Sequence, residues 1–227
     1  MAVHADRRVP LNRDRVLHAA ISLADEGGIE SLSMRKLGQA LGVEAMALYN
    51  HVANKNDLLD GIVDLVLSEF ELPSGGEDWE TGIRKLATSA HDALLRHPWS
   101  CTLILSSTSA RAARLRYMEA LFRCLREAGF SAEETYHAYH TLDSHILGFT
   151  LWQLGHVMPE DAPRITTKEE LAVFMATVVP GLCLDEYPYL LEHGELHFRE
   201  GSHKEEGEFE FGLRLILDGL ERMRGSG

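Results

Sequence analysis

The most chemically pointed stretch of the chain runs from Ser33 to Leu59, SMRKLGQALGVEAMALYNHVANKNDLL. Ser33 can cap a short helix with Leu37, Ala40 and Leu41 inward, Gly42-Val43 makes a tight turn, and Glu44 to Val52 forms a second short helix. Two short helices around a glycine turn make a helix-turn-helix. The second helix carries few charges, and Ala45, Met46 and Ala47 occupy its exposed first turn, which allows close approach to base edges in a major groove. Tyr49, His51 and Lys55 follow, with donors that can reach phosphate oxygens and fix register without reading sequence. Lys55 starts the next helix, where a cation is disfavoured unless an anion such as phosphate meets it. Arg35 is a groove contact or an ordinary solvated charge. Leu48 and Val52 are core by periodicity alone.

A second concentration is histidine. His137 and His140 stand at i, i+3, with Asp143 and His145 close by and His193 and His197 later. A metal site needs about four converging ligands, and such a helical pair supplies two. A metal-sensing site, or a small helical metalloenzyme, thus competes with polar pocket lining and with plain solvated or core histidines. No HExxH, nucleophile elbow, phosphate loop or paired-carboxylate motif supports catalysis, and no cofactor is expected. Cys101, Cys124 and Cys183 lack paired spacing, which points to a reduced compartment rather than a disulfide framework or a zinc knuckle. Trp99, Phe122, Phe149, Trp152, Phe174 and Met175 can line a cavity, although aromatics at helical spacing also serve as core.

The elements that must position these groups are helical almost throughout. Asn12 can cap a helix burying Val16, Ala20, Leu23 and Ala24, which Gly27-Gly28 ends. Asn54 caps a long fourth helix with Leu58, Leu59, Ile62, Val63, Val66 and Leu67 on one face. Residues 71–78 read as a connector. Further helices run from Trp79 to about His97-Pro98, from Arg111 to Ala128, from Ser131 (a capping box with Glu134) to about His156, from Thr167 to Val179, and from Lys204 to Arg224. Residues 106–109 read as a loop, 182–202 as mixed, and 225–227 as a frayed tail. No strand pattern, repeat or low-complexity segment emerges. With 227 residues, 45% hydrophobic and 25% charged, the chain can bury a sizeable core and accommodates one small and one larger domain.

A net charge of −13 argues against a nucleic-acid partner until its distribution is considered. Residues 1–56 hold seven basic and six acidic side chains, so the acidity falls on the remainder. A near-neutral head can bind DNA if its basic groups face one way. No signal-peptide run opens the chain and no stretch approaches 18 apolar residues, so the expectation is a cytoplasmic protein without a membrane partner.

LGVEAMALYNHVANKNDLLDGIV resembles the recognition helix and linker of the TetR family of transcriptional regulators, in its tetracycline-repressor branch. Trp79, the Arg96-His97 pair, residues 121–130 with the run LREAGFSAEE, and the closing FEFGLRLILDGLE are similar to that branch's regulatory domain. The resemblance implies an all-α fold: a three-helix head, residues 1–54, that binds an operator, and a larger helical domain, residues 55–227, that binds an effector and dimerises. It implies DNA contacts at Ser33, Arg35, Ala45, Met46, Tyr49, Asn50, His51 and Lys55. Ala45 and Met46 match base-reading positions, Arg35 a base or phosphate position, and Tyr49, His51 and Lys55 phosphate positions. Asn50 replaces a bulkier aromatic, and Ala45 and Met46 replace polar and proline residues, so a different operator is expected. It also implies effector contacts among Trp99, Met118, Phe122, His140, Ser144, His145, Phe149 and Trp152. The helices at 131–156 and 204–224 are expected to meet a twofold partner, with Phe209, Leu213, Ile216, Leu217 and Leu220 as the seam. Aligned on Trp79 and His97, the branch's metal-ligating histidine and ligand-binding asparagine correspond to Ile104 and Leu86. The expected effector is therefore mostly apolar and not a magnesium–tetracycline complex. Two recognition helices roughly 34–36 Å apart would grip a palindrome until effector binding moves the fourth helix.

Overall fold

The computed structural model describes residues 10–106, 111–155, 165, 167–179, 181, 186–198 and 207–224. Among them are eleven α-helices and no strand. Their contacts divide the chain into two units, Met1–Gly155 with Leu215–Gly227, and His156–Arg214.

In the first unit the head is built by capping and one apolar face. α1 (Arg13–Gly27) starts at Asn12, whose side chain accepts from the Arg15 amide at 2.8 Å. It buries Val16, Leu17, Ala20, Ile21 and Ala24, while Leu23 is only half-buried. α2 (Met34–Leu41) is capped by Ser33 and closes at Gly42, which takes a left-handed φ of 68°. Its buried face is Leu37 and Gly38; Ala40, expected inward, is exposed. Gly38 packs directly on the turn, next to the Val43 carbonyl and the Ala45 backbone, while Gln39 and Ala40 face outward. α3 is shorter than the expected Glu44–Val52, spanning Ala45–Leu48. Beyond it the chain tightens into i→i+3 turns, with Asn50 N donating to the Ala47 carbonyl at 3.3 Å and His51 N to that of Leu48 at 2.9 Å. α4 (Lys55–Leu67) begins at Asn54, which accepts from the Asp57 amide at 2.9 Å, and buries Leu58, Ile62, Val63, Val66 and Leu67.

α5 (Trp79–Arg96) packs along α8 (Ala132–Gly155), and α7 (Ala112–Glu127) lies against α4. A short α6 (Ser100–Ser106), not anticipated from the sequence, packs on α4. Ser131 and Glu134 form the expected reciprocal cap, with Ser131 N donating to Glu134 at 2.6 Å and Glu134 N to Ser131 Oγ at 3.2 Å. His91 Nδ1 donates to Thr150 Oγ1 at 2.8 Å, because the threonine spends its own proton on the Ile146 carbonyl. In the second unit, α9 (Lys168–Val178) starts from a Thr167–Glu170 capping box and packs on α10 (Pro188–Phe198). α10 also went unanticipated. α11 covers Glu208–Arg224, later than the expected Lys204 start. Expectations for residues 107–109, Pro159, Pro163, Pro180, Cys183 and 225–227 lie outside the described residues. No helix of the described residues is long and apolar enough to cross a membrane.

Candidate DNA interface and effector cavity

The helix-turn-helix presents its outer surface to solvent. Met46 is 74% exposed at the start of α3, and Tyr49 is exposed one turn on. Ser33, Arg35, Asn50 and Lys55 are exposed as well, while Ala45 and His51 are half-buried. Leu48 and Val52 are buried, so the three-helix core holds α3 from behind. The α2–α3 spacing is fixed by contact: a Cβ at Gly38 would meet the Val43 carbonyl oxygen at 2.8 Å and the Ala45 nitrogen at 3.2 Å.

The recognition segment is anchored through Asp57. The Arg13 guanidinium grips this carboxylate with two bonds of 3.0 Å and also donates to the His51 carbonyl at 2.9 Å. The Ala53 amide donates to it at 2.9 Å. Arg111, at the start of α7, donates to Asp57 at 2.9 Å and to Asp60 at 3.2 Å. The Arg13 bonds first, then Ala53 and Arg111, hold the Asp57 carboxyl well below the usual carboxylate range. One side chain therefore ties α1, the segment after α3, α4 and α7 together.

A second anchor joins the end of α1 to the end of α5. Asp25 accepts from Trp99 Nε1 at 2.7 Å and from His97 Nδ1 at 2.8 Å, and His97 Nε2 faces Glu69 at 3.1 Å. Trp99, expected in an effector site, is buried in this junction instead.

Between α4, α5, α6, α7 and α8 lies a cavity of about 480 Å³. Its apolar wall includes Leu67, Phe70, Leu94, Ile104, Leu105 and Ile146; its polar end is Arg114, Tyr117, Tyr139, His140, Asp143 and Ser144. Of the eight effector residues expected from the sequence, His140 and Ser144 line it. Met118, Phe122, His145, Phe149 and Trp152 do not, nor does Trp99. Phe122 packs edge-on against Tyr139 with ring centroids 5.3 Å apart, behind the wall. Phe149 packs on His91, His145 and Trp152 at 6.0, 5.8 and 5.6 Å, so these rings mainly satisfy one another. The sequence reading missed Tyr117 and Tyr139, and it noted Asp143 only as a neighbour of the histidine cluster, because it weighed residue type over register. Position 143, one turn from His140 and beside Ser144, was the available signal.

The rings of His137 and His140 meet that of Tyr136 edge-on, with centroids 5.4 and 4.6 Å away. Among the described residues no group of three or more His, Cys, Asp or Glu side chains gathers where it could hold a metal ion. Burial pushes the Cys101 and Cys124 thiols up to about 11, away from reactive thiolate character.

The expected dimer seam needs correction. Phe209, Leu213, Leu217 and Leu220 are buried within the chain, and Ile216 is half-buried. An apolar stripe on a surface helix serves its own core first. The outward strip of α11 carries Phe211, Leu215 and Met223 instead.

A helix-turn-helix with an exposed recognition face, mounted on a helical body that contains a cavity, defines a DNA-binding regulator. Residues 16–62 match the family model of the tetR family of bacterial regulatory proteins, and residues 72–224 that of the tetracyclin repressor-like C-terminal domain. The chain belongs to the TetR family of transcriptional regulators. It is 30% identical over 213 residues to the HTH-type transcriptional repressor DrrR1 of Streptomyces coeruleorubidus, covering 93% of this chain and 77% of that one. It is 34% identical over 213 residues to the class E tetracycline repressor protein of Escherichia coli, covering 92% and 90%. Among solved structures, the TetR family protein ActR of Streptomyces coelicolor in complex with actinorhodin aligns with a TM-score of 0.73 at 26% identity, over 96% of this chain and 100% of that one.

Proposed function

We propose that this regulator is a repressor that grips a palindromic operator as a homodimer and releases it when a small, mostly apolar effector enters the cavity. It acts by binding, not catalysis, in the cytoplasm. Residues 1–54 read DNA; residues 55–227 bind effector and partner, with α4 as the connector. The observation that carries this reading is the exposed α3 start, Met46 above all, on a body whose cavity is walled largely by apolar side chains. The repressor names of its relatives and the bound actinorhodin in ActR support it. Ile104 on the cavity wall offers no metal ligand, which favours an effector other than magnesium–tetracycline.

Selection of bound sequences from a random DNA pool tests the class and supplies the operator, and one palindromic consensus is the expected result. Lys55→Ala should then weaken binding to every sequence alike and reduce the slope of log K against log salt by about 0.9 per lost phosphate contact. A changed consensus with an unchanged slope would remove Lys55 from the phosphate contacts.

The partner-facing surface is the outward strip of α11, where Leu215 is half exposed. Leu215→Asp should convert a dimer to monomers in light scattering at micromolar concentration, because it desolvates a charge in an apolar seam. A wild type that is already monomeric would refute the assembly.

A further inference from the structure

Given the reading of the cavity as the effector site, its walls also constrain the chemistry of what fills it. Among the described residues, Asp143 is the one acidic side chain on those walls. The Tyr117 hydroxyl donates to it, and Tyr139 hydrogen-bonds to it as well. With both phenol protons spent on the carboxylate, the two tyrosine oxygens and the remaining carboxylate lone pairs can only accept.

The neighbouring cation does not complete this array. Arg114 stands on the same wall, but its guanidinium donates to the Ile104 carbonyl at 3.3 Å and also serves Tyr139. Burial pushes the Asp143 carboxyl above its ordinary value although Tyr117, Tyr139, Arg114 and His140 all pull it down. Burial thus disfavours the charged carboxylate more than these neighbours favour it.

We propose that the effector is a hydrophobic molecule carrying a protonated nitrogen, seated with that nitrogen at Asp143 and its apolar body along Phe70, Leu94 and Ile146. An ammonium supplies the donors this acceptor-only array lacks and the positive charge a buried carboxylate needs. A neutral molecule of the same shape leaves the carboxylate as it was, and an anion repels it. A cavity of about 480 Å³ accommodates a molecule of drug size.

The test uses nortriptyline, a tricyclic secondary amine, and its N-acetyl derivative, a neutral amide on the same rings. Calorimetry with the full chain should give at least about tenfold tighter binding of the amine. Asp143→Asn, of nearly equal volume, should bring the two compounds within about twofold while leaving the amide's affinity unchanged. If Asp143→Asn does not fold, the wild type supplies a second measurement. A cation lowers the carboxyl's pKa and so releases a proton, making amine affinity rise with pH through the range in which Asp143 titrates, with the amide unaffected. Equal binding of amine and amide, an amine preference that survives in Asp143→Asn, or binding of neither overturns the proposal. Operator release is read separately. An amine held through Asp143 that leaves the DNA complex intact refutes the effector reading and keeps the site. An amide that releases DNA equally from wild type and variant keeps the effector reading and refutes the amine.

Discussion

Asp57→Asn should lower the stability of the chain by about 2–3 kcal/mol at neutral pH and weaken operator binding with it. The carboxylate meets two guanidinium groups and a backbone amide, and a neutral amide keeps one acceptor while turning an NH2 group toward an arginine. Arg13 and Arg111 are each about a third exposed, which places the loss toward the lower end of what a buried pair would give. Because the folded-state pKa of Asp57 is depressed, its contribution is fully present above the unfolded value of about 3.9 and is lost as pH falls below it. Urea unfolding should therefore separate wild type from Asp57→Asn clearly at pH 7, and the gap should narrow progressively as pH falls from about 4 through the depressed folded-state value. A variant with an unchanged midpoint at pH 7 would show that the four bonds carry no net stability. DNA affinity should fall because the same group fixes Ala53 directly and His51 through Arg13, on either side of the exit from the recognition segment.

The second large effect is expected at Gly38. Alanine in a helix interior gains about 1 kcal/mol over glycine in propensity. Against that stands a methyl group 2.8 Å from a backbone oxygen, where no side chain can swing aside. Overpacking of this kind costs about 1–3 kcal/mol, and the α2–α3 spacing must open to relieve it. Gly38→Ala should come out net destabilising and lose at least about tenfold in operator affinity, since a shifted α3 would misalign the base contacts proposed for it. Gly38→Val should lose more, with a β-branched side chain in the same gap. Electrophoretic mobility shift with the selected operator measures both. Undiminished DNA binding by Gly38→Val would mean that α3 tolerates displacement on α2.

The head was legible because its signals are local. Asn12, Ser33, Asn54 and Ser131 announce themselves by type and position, and each caps its helix as expected. Gly42 marks the turn for the same reason. The recognition helix was overextended because a four-residue α-helix running into tighter turns keeps the same apolar spacing at Leu48 and Val52. The body was legible as helices but not as a cavity. α8 is 24 residues long and polar groups lie around much of it, so periodicity does not say which of its faces meets the void. Tyr139 and Asp143 belong to the face next to the one the aromatics suggested. α11 failed in the opposite sense: its stripe is clear, and the stripe alone does not distinguish a core from a partner. The Asp57 cluster joins residues 44 to 54 positions apart, a range no local pattern reaches.

The three tryptophans of this chain sit in unlike surroundings. Trp152 is 48% exposed, whereas Trp79 and Trp99 are 6% and 7% exposed. Only Trp99 joins the end of α1 to the end of α5, through an indole N–H bonded directly to a carboxylate. Indole emission shifts in wavelength and yield when a nearby charge moves or water reaches the ring. The junction therefore contains its own fluorophore. With phenylalanine in place of the other two indoles, emission from a single residue would follow the head's attachment in real time, with no dye on the DNA-reading surface.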